Sequence, residues 1–209
     1  RMFYADRPSS ALRVAALAGA QPLADAWAAA GRGDKNAAKL LKAVPAAQRQ
    51  AGYFFAEAEY LRKQQKFADA AALVMKAPTD REALVDPDAW WVERRVLSRE
   101  LVDQGDMKTA YKIVSMHAAE SAANAAEAEF HAGWYALRGL NDPTTAASHF
   151  AHIVDLAQGP MSLSRDTPRK AACEAIARTI SGGASRRSSS AMIVRGWPAW
   201  VSSMSGKRS

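Results

Sequence analysis

Residues 86–118 read DPDAWWVERRVLSRELVDQGDMKTAYKIVSMHA, and this segment decides the fold. Its first half repeats large apolar residues at Trp90, Leu97 and Leu101, which lie on one face of an α-helix. Its second half carries an apolar stripe with helical spacing, formed by Met107, Ala110, Tyr111, Val114 and Ala118. The segment therefore predicts two amphipathic helices joined by a short turn.

The ends of these helices carry residues that favour starting or stopping a helix. Asp86 supplies an N-cap acceptor directly before Pro87, whose missing N–H costs nothing at the first helical position. Gly105 is a glycine C-cap, and Asp106 after it is an N-cap for the next helix. The Asp-Pro pattern recurs at Asp142-Pro143, where it predicts another helix start.

The predicted helices form pairs that recur along the chain. The three clearest pairs are Phe54–Lys63 with Phe67–Lys76, Asp88–Gln104 with Asp106–Ala118, and Ser121–Leu140 with Pro143–Ala157. In each second helix small residues recur, and the offset is 39 residues from Ala71 to Ala110 and 37 residues from Ala110 to Ala147. Such a period is typical of an α-solenoid. The predicted fold class is therefore all-α, a tetratricopeptide-like superhelix of stacked helical hairpins, with two further short helices in Leu12–Val44, broken at Gln21-Pro22 and Gly31–Gly33.

The composition agrees with a helical globular chain. Alanine supplies 47 of the 209 residues, and alanine favours helix over sheet. Apolar residues at 49% and charged residues at 23% exclude wholesale disorder. No apolar run approaches the roughly 18 residues that span a bilayer. A single cysteine, Cys173, excludes a disulfide framework and a cysteine-based zinc site.

The net charge of +7 lies in a C-terminal tail. Residues 1–164 hold 19 basic and 19 acidic residues, whereas residues 165–209 hold 9 basic residues, 2 acidic residues and 9 serines. We therefore divide the chain into a superhelical domain, 1–165, and a poorly ordered basic tail, 166–209. The tail could form a nucleic-acid arm, but a basic cluster such as Arg186-Arg187, without interleaved aromatic residues, is a weak signal, which favours a solvated tail with no dedicated partner.

Histidine and glutamate pairs offer weak candidate sites. His149 and His152 are three residues apart on one predicted helix, but the spacing supplies no third and fourth metal ligand, so we expect surface histidines and no metal. Glu57 with Glu59 and Glu127 with Glu129 form two further pairs. Their members point about 200° apart on a helix and cannot flank one bond. With no glycine-rich phosphate loop or nucleophile elbow, the sequence predicts no catalytic residue and no cofactor.

The tryptophan-rich segment is the most distinctive candidate surface. Trp90 and Trp91 face different directions on a helix, so one is expected in the core and the other at an edge or groove. With Arg94, Arg95 and the more distant Tyr135 they are the candidate contact for a glycan or partner. Packing between repeats is the favoured alternative, because large aromatic side chains are mostly explained by burial.

Four phrases between Tyr53 and Arg165 carry a family resemblance. They are AEAEYLRK at 56–63, DPDAWWVERR at 86–95, AEFHAGWYALR at 128–138 and SLSR at 162–165. In these phrases the chain resembles the superhelical domain of soluble lytic murein transglycosylases. The resemblance implies a periplasmic protein with a ring- or U-shaped α-superhelix followed by a goose-lysozyme-like domain. That domain cleaves the β-1,4 bond between N-acetylmuramic acid and N-acetylglucosamine without water, through one glutamate that acts as acid and then base.

The chain departs from the family pattern in two ways. The catalytic motif of the family is Glu-Ser followed by Gly-Leu-Met-Gln, whereas Glu120-Ser121 lies inside the predicted solenoid with no such segment after it. The resemblance therefore assigns no catalytic role to Glu120. The resemblance also stops where Asp166–Lys170 begins, at the jump in charge and serine content, which predicts a shifted reading frame or a truncated gene for the tail.

Three functions follow as hypotheses. The first is an inactive scaffold that positions peptidoglycan or cell-wall proteins for a catalytic domain of the parent protein. The second is a free-standing tetratricopeptide-like interaction module, and the third is a helical adaptor with a nucleic-acid arm. The first residues carry no basic-then-apolar leader, which leaves open a cytoplasmic chain or a fragment whose leader lies upstream.

Overall fold

The fold is that of a computed structural model, which describes the backbone of residues 1–158 and the side chains of residues 1–156. Within these residues the chain is all-helical, with no strand. The α-helices are α1 Pro8–Ala15, α2 Gln21–Arg32, α3 Ala37–Ala43, α4 Ala51–Lys63, α5 Phe67–Val74, α6 Arg81–Leu84, α7 Pro87–Asp103, α8 Met107–Ser115, α9 Ala122–Gly139 and α10 Pro143–Gln158. A short 3-10 helix covers Ala46–Gln48. The predicted tail, 166–209, lies outside the described residues.

The chain divides into two compact units, Arg1–Asn124 and Ala125–Ser209, which we call the first and second units. In the first unit α2 packs on α3, α4 on α5 and α7 on α8, so consecutive helices form hairpins. Helix α4 also packs on α2, and α5 packs on α7. In the second unit the rings of Phe130 on α9 and Phe150 on α10 lie 6.1 Å apart. The three predicted helix pairs are therefore present.

The hairpins share one turn geometry. The first helix of each ends at or just before a residue in the left-handed region, with φ of 70° at Gly33, 58° at Gln65, 85° at Gly105 and 52° at Asn141. In three hairpins the next N–H bonds back to a carbonyl five residues earlier, as in Lys66 to Leu61 at 2.9 Å and Asp106 to Leu101 at 2.8 Å. This bond satisfies a carbonyl that the helix end would leave unpaired.

Aspartate side chains begin several of the helices as the sequence predicts. The Oδ1 atom of Asp86 accepts a hydrogen bond from the Ala89 N–H at 3.0 Å, with Pro87 in the first turn. The Oδ1 atom of Asp142 accepts from the Thr145 N–H, also at 3.0 Å. Both predicted Asp-Pro starts are therefore confirmed.

Several elements differ from the predicted boundaries. Helix α4 begins at Ala51 rather than Phe54, α5 ends at Val74 rather than Lys76, and the short helix α6 was not predicted. Three helices rather than two occupy the region of Leu12–Val44, because Gln21-Pro22 begins α2 instead of breaking a helix. A proline in the first turn replaces an N–H that has no helical acceptor, so it is tolerated there. Helix α8 ends at Ser115, before the predicted end at Ala118, because the backbone leaves helical geometry at Met116, with φ −98° and ψ 29°, and Ala118 then adopts a φ of 53°.

Glycine permits two close helix crossings. A Cβ atom at Gly52 on α4 would lie 2.9 Å from the Trp27 ring on α2. A Cβ atom at Gly133 on α9 would lie 2.7 Å from the Phe150 ring on α10. Small residues at these crossings let a large ring of the neighbouring helix pack against the backbone.

Candidate functional site

The tryptophan-rich segment begins with two aspartates that start two different helices. Asp86 caps its own helix, α7, whereas the Oδ1 atom of Asp88 accepts from the backbone N–H groups of Glu120 at 2.9 Å and Ser121 at 3.2 Å. Burial alone would raise the pKa of the Asp88 carboxyl, but hydrogen bonds from Ser121, Glu120 and Asn124 outweigh it and lower the pKa. Asp88 therefore ties α7 to the segment that leads into α9.

Trp90 and Trp91 are both fully buried, with 0% of each side chain exposed. The Trp90 ring lies 5.2 Å from Phe55 of α4 in an edge-to-face arrangement, and the Trp91 ring lies 6.2 Å from His117 beyond α8. The two rings face different neighbours, as expected for adjacent helical residues. The expectation that one of them lies at an edge or groove needs correction, because packing covers both sides of α7 at this level.

Glu93 forms a buried ion pair that the sequence did not indicate. Its carboxylate accepts from Arg62 Nε at 2.7 Å and from Arg62 Nη2 at 2.9 Å, and only 5% of Glu93 is exposed. Burial raises the pKa of Glu93, and the guanidinium opposes part of that rise. The bidentate pair joins α7 to α4 across 31 positions of sequence, a distance over which helical periodicity carries no signal.

Arg94 lies in the middle of α7, and its buried cationic side chain contacts the C-terminal turn of α8. The side chain is 0% exposed, its Nη1 atom donates to the Ile113 carbonyl at 3.3 Å, and its guanidinium carbon lies 5.7 Å from the Trp90 ring centroid. Within the described residues its Nε and Nη2 atoms have no hydrogen-bond partner. Burial lowers the pKa of Arg94 to about 10. Because Ile113 is in the last turn of α8, the charge interacts favourably with that helix end.

The remaining candidate surface residues occupy different surroundings. Arg95 is half-buried, and its carbonyl accepts from the Ser98 hydroxyl at 2.9 Å. Tyr135, in the second unit, is 4% exposed, and its ring lies 6.0 Å from the His131 ring. Of the five predicted contact residues, Arg95 alone is not fully buried. The other four side chains are packed in the interior and present no exposed surface to a glycan.

The Glu120-Ser121 pair lies at a helix start. Both backbone N–H groups are held by Asp88, and the Ser121 hydroxyl accepts from the Asn124 N–H at 3.4 Å. Hydrogen bonds of this kind satisfy the unpaired N–H groups of a first helical turn. The pair therefore has a local structural explanation.

The histidine pair on α10 meets a glutamate of α9 inside the second unit. His149 Nδ1 lies 2.6 Å from Glu129 Oε2, and His152 Nδ1 lies 3.4 Å from Glu129 Oε1. His149 is half-buried, so the expectation of two surface histidines applies only to the exposed His152. Over the side chains of residues 1–156, no group of three histidine, cysteine, aspartate or glutamate residues is arranged to hold a metal ion.

The glutamate pairs diverge as their helical spacing predicts. Glu59 forms an ion pair with Lys63 at 2.8 Å, whereas Glu57 interacts with the Tyr53 hydroxyl, whose pKa is raised chiefly by burial. In the second pair the Glu129 carboxylate contacts His149 of α10, and the backbone carbonyl of Glu127 accepts from His131 Nδ1. Glu57, Glu59 and Glu129 thus contact three different partners.

None of the helices in the described part of the chain is both long and apolar enough to cross a bilayer. No protein-family model, no curated protein and no solved structure matches the chain.

Proposed function

We propose that this chain is a non-catalytic helical scaffold from a soluble lytic murein transglycosylase, in which stacked hairpins form part of a superhelix. The observation that carries the proposal is the recurrence of a left-handed turn residue after α2, α4, α7 and α9, with the same backbone hydrogen bond in the first three turns. Repeated units of this kind stack by nearest-neighbour packing. The family assignment itself rests on the four sequence phrases between Tyr53 and Arg165.

The burial of the matched residues supports a structural role for those phrases. Trp90, Trp91 and Arg94 belong to the phrase at 86–95 and have 0% exposure, and Tyr135 belongs to the phrase at 128–138 and is 4% exposed. Residues that maintain a helical framework are expected to be buried in this way. The shared text would then specify the scaffold, and the chemistry would belong to a catalytic domain of the parent protein, in the periplasm.

The scaffold would act by holding peptidoglycan or cell-wall proteins near that catalytic domain. Holding peptidoglycan or a cell-wall protein requires no nucleophile, acid–base pair or cofactor from this chain. The sequence holds no Gly-Leu-Met-Gln segment, and Glu120 lies exposed at a helix start. Bond cleavage is accordingly assigned to the parent protein alone.

Co-sedimentation with purified sacculi tests the proposal. The full chain is expected to sediment with sacculi, to stay in solution with crystalline chitin, and to release no 1,6-anhydro-muropeptides, as measured by mass spectrometry of the supernatant. Chitin is the matched control, because it shares the N-acetylglucosamine units but lacks the muramyl peptides. Release of anhydro-muropeptides by this chain, or equal retention on chitin, would contradict the proposal.

Translation of the DNA downstream of residue 209 gives an independent test. One of the three forward frames is expected to encode Glu-Ser followed by Gly-Leu-Met-Gln. The same reading is expected to show whether the tail after Arg165 results from a change of frame. If no frame encodes the motif, a shifted reading frame does not explain the tail, and only a truncated gene remains compatible with this family.

The free-standing interaction module is a second candidate, and one observation favours it. Four of the five side chains expected to contact glycan are buried, which removes the most direct glycan-binding surface from the described residues. Under this alternative the full chain binds a peptide along its helices and shows no retention on sacculi. The co-sedimentation measurement therefore separates the two candidates.

A further inference from the structure

Helix α3 and the turn before it carry an exposed row of positive charge. Lys39 and Lys42 lie on the side of α3 opposite to its buried residues, Ala37 and Leu41. Lys35, in the turn that leads into α3, lies four residues before Lys39 and so extends the row with helical spacing. All three lysines are exposed, and we call them the lysine row.

The lysine row has no acidic neighbour that balances its charge. Asp34 is the only acidic residue in the sequence between Gly31 and Gln50, and its carboxylate pairs with Arg32 at 2.8 Å. Over the part of the chain that the structure describes, none of the three lysine ammonium groups forms an ion pair. Like charges three or four residues apart on a helix repel one another, so the row weakens α3 unless a partner supplies negative charge.

Arg49 adds a fourth positive charge that is fixed in place. Its Nη2 atom donates to the Lys42 carbonyl at 2.9 Å, and its Nε atom donates to the Val44 carbonyl at 3.0 Å, just past the last turn of α3. Its guanidinium carbon also lies 5.2 Å from the Tyr53 ring centroid. These contacts satisfy carbonyls that the helix end leaves unpaired, and they hold the guanidinium beside the last lysine of the row.

The surroundings of the row favour an acidic protein segment over other polyanions. Residues 31–50 contain no aromatic residue, so the segment offers no ring on which a nucleic-acid base could stack. None of the exposed large apolar side chains of the described residues lies in this segment, so it carries no apolar anchor for a lipid bilayer. Ammonium groups at helical spacing instead match carboxylates that follow the same spacing on a partner helix.

We propose that the lysine row, together with Arg49, is a docking surface for an acidic protein segment that carries carboxylates at positions i, i+4 and i+7 of a helix. Attraction between exposed charges is screened by salt, so binding falls as the ionic strength rises. The inference goes beyond the scaffold role, because it concerns a protein partner and holds whether or not the chain binds peptidoglycan.

The test compares the wild-type full chain with the triple variant Lys35→Gln/Lys39→Gln/Lys42→Gln, which neutralises the row and keeps long polar side chains. The probe is a fluorescent helical peptide with glutamate at positions i, i+4 and i+7, and binding is measured by fluorescence anisotropy at low salt. The triple variant is expected to bind the probe about tenfold more weakly than the wild type does, since three exposed charge pairs are lost. A probe with glutamine in place of each glutamate is expected not to bind either protein.

A second triple variant controls for the change in net charge. Lys66→Gln/Lys76→Gln/Lys108→Gln removes three exposed lysines elsewhere in the first unit and is expected to bind the glutamate probe as tightly as the wild type does. Both variants keep the basic residues of 166–209, so a difference between them belongs to the lysine row. Circular dichroism is expected to show wild-type helix content in both variants.

Three results would overturn the proposal. Equal binding of the glutamate probe by the two triple variants would show that the position of the lysines does not matter. Wild-type binding that does not weaken as salt is raised would show that charge does not drive it. Tighter wild-type binding to an oligothymidylate or to phosphatidylglycerol vesicles than to the glutamate probe, lost on neutralising the row, would assign the row to a nucleic acid or a lipid surface.

Discussion

The α7–α8 hairpin of the first unit and the α9–α10 hairpin of the second unit share a frame of helix caps and turn residues but differ in the side chains that pack between helices. Each contains one Asp-Pro cap, at the start of α7 in the first and at the start of α10 in the second, and each turns on a left-handed residue, Gly105 in one and Asn141 in the other. The first unit buries charge next to its tryptophans, in the Arg62–Glu93 pair and in Arg94. The second unit instead brings Phe150 against Gly133.

This difference teaches that helix ends and helix interiors are specified separately. The caps of α7, α8 and α10 and the hairpin turns are local, since each is completed by hydrogen bonds within a few residues. Interiors depend on what the neighbouring helix presents, which is a carboxylate for Arg62 and a ring for Gly133. Substitutions in the interior of either hairpin are therefore expected to leave its helix caps and its turn unchanged.

The largest effect is expected from removing one partner of the buried ion pair. Arg62→Met leaves Glu93 buried without its guanidinium, and the loss of unfolding free energy is expected to be about 3–5 kcal/mol at neutral pH. Urea denaturation followed by circular dichroism measures it. The matched control is Arg62→Met/Glu93→Leu, which removes both charges and is expected to recover most of the loss. A double variant no more stable than Arg62→Met would contradict this account.

The pH dependence of that variant has a defined sign. Burial raises the pKa of Glu93 in the folded protein, so between the unfolded pKa and the folded pKa the native state binds more protons than the unfolded state. Stability therefore falls as the pH rises through this window. Without Arg62 to oppose the shift, the fall is expected to be steeper in Arg62→Met than in the wild type. Parallel stability profiles from pH 4.5 upward would contradict it.

A smaller effect is expected at the glycine crossing of the second unit. Gly133→Ala places a methyl group 2.7 Å from Phe150 Cε1, which forces the ring to move and is expected to cost about 1–3 kcal/mol. Thermal unfolding of the full chain measures the change. Gly31→Ala is the matched control, because it lies inside α2 with nothing within 4 Å and should stabilise by a few tenths of a kcal/mol to about 1 kcal/mol. Equal shifts in both variants would contradict the close-packing explanation.

The helices could be predicted from the sequence because their signals are local. Apolar spacing placed Trp90, Leu97 and Leu101 on the buried face of α7, and Asp86-Pro87 fixed its start. The end of α8 could not be predicted, because Ala118 in the left-handed region leaves no residue-type signal. Alanine is common in helices and gives no indication that one has stopped.

The candidate site could be predicted only in part, because burial depends on contacts between distant residues. A charged residue such as Arg94 is rarely fully buried, so its presence beside two tryptophans suggested a surface. Its burial becomes intelligible only once α8 is placed, with the Ile113 carbonyl beside the guanidinium. The Glu129–His149 contact was missed for the same reason, since its residues lie on different helices.

The smallest effects are expected at the left-handed turn residues, and they test whether the shared frame is a local property. Gln65→Gly removes the steric cost of a side chain at a φ of 58° and is expected to stabilise by up to about 1 kcal/mol. Asn141→Gly should stabilise less, because asparagine tolerates this region better than glutamine does. Gly105→Ala, at a φ of 85°, should destabilise by about 1 kcal/mol. Urea denaturation of the three single variants decides the order. If Gln65→Gly destabilises while Gly105→Ala has no effect, the hairpins do not depend on backbone conformation at these positions, and the resemblance between their turns has no energetic meaning.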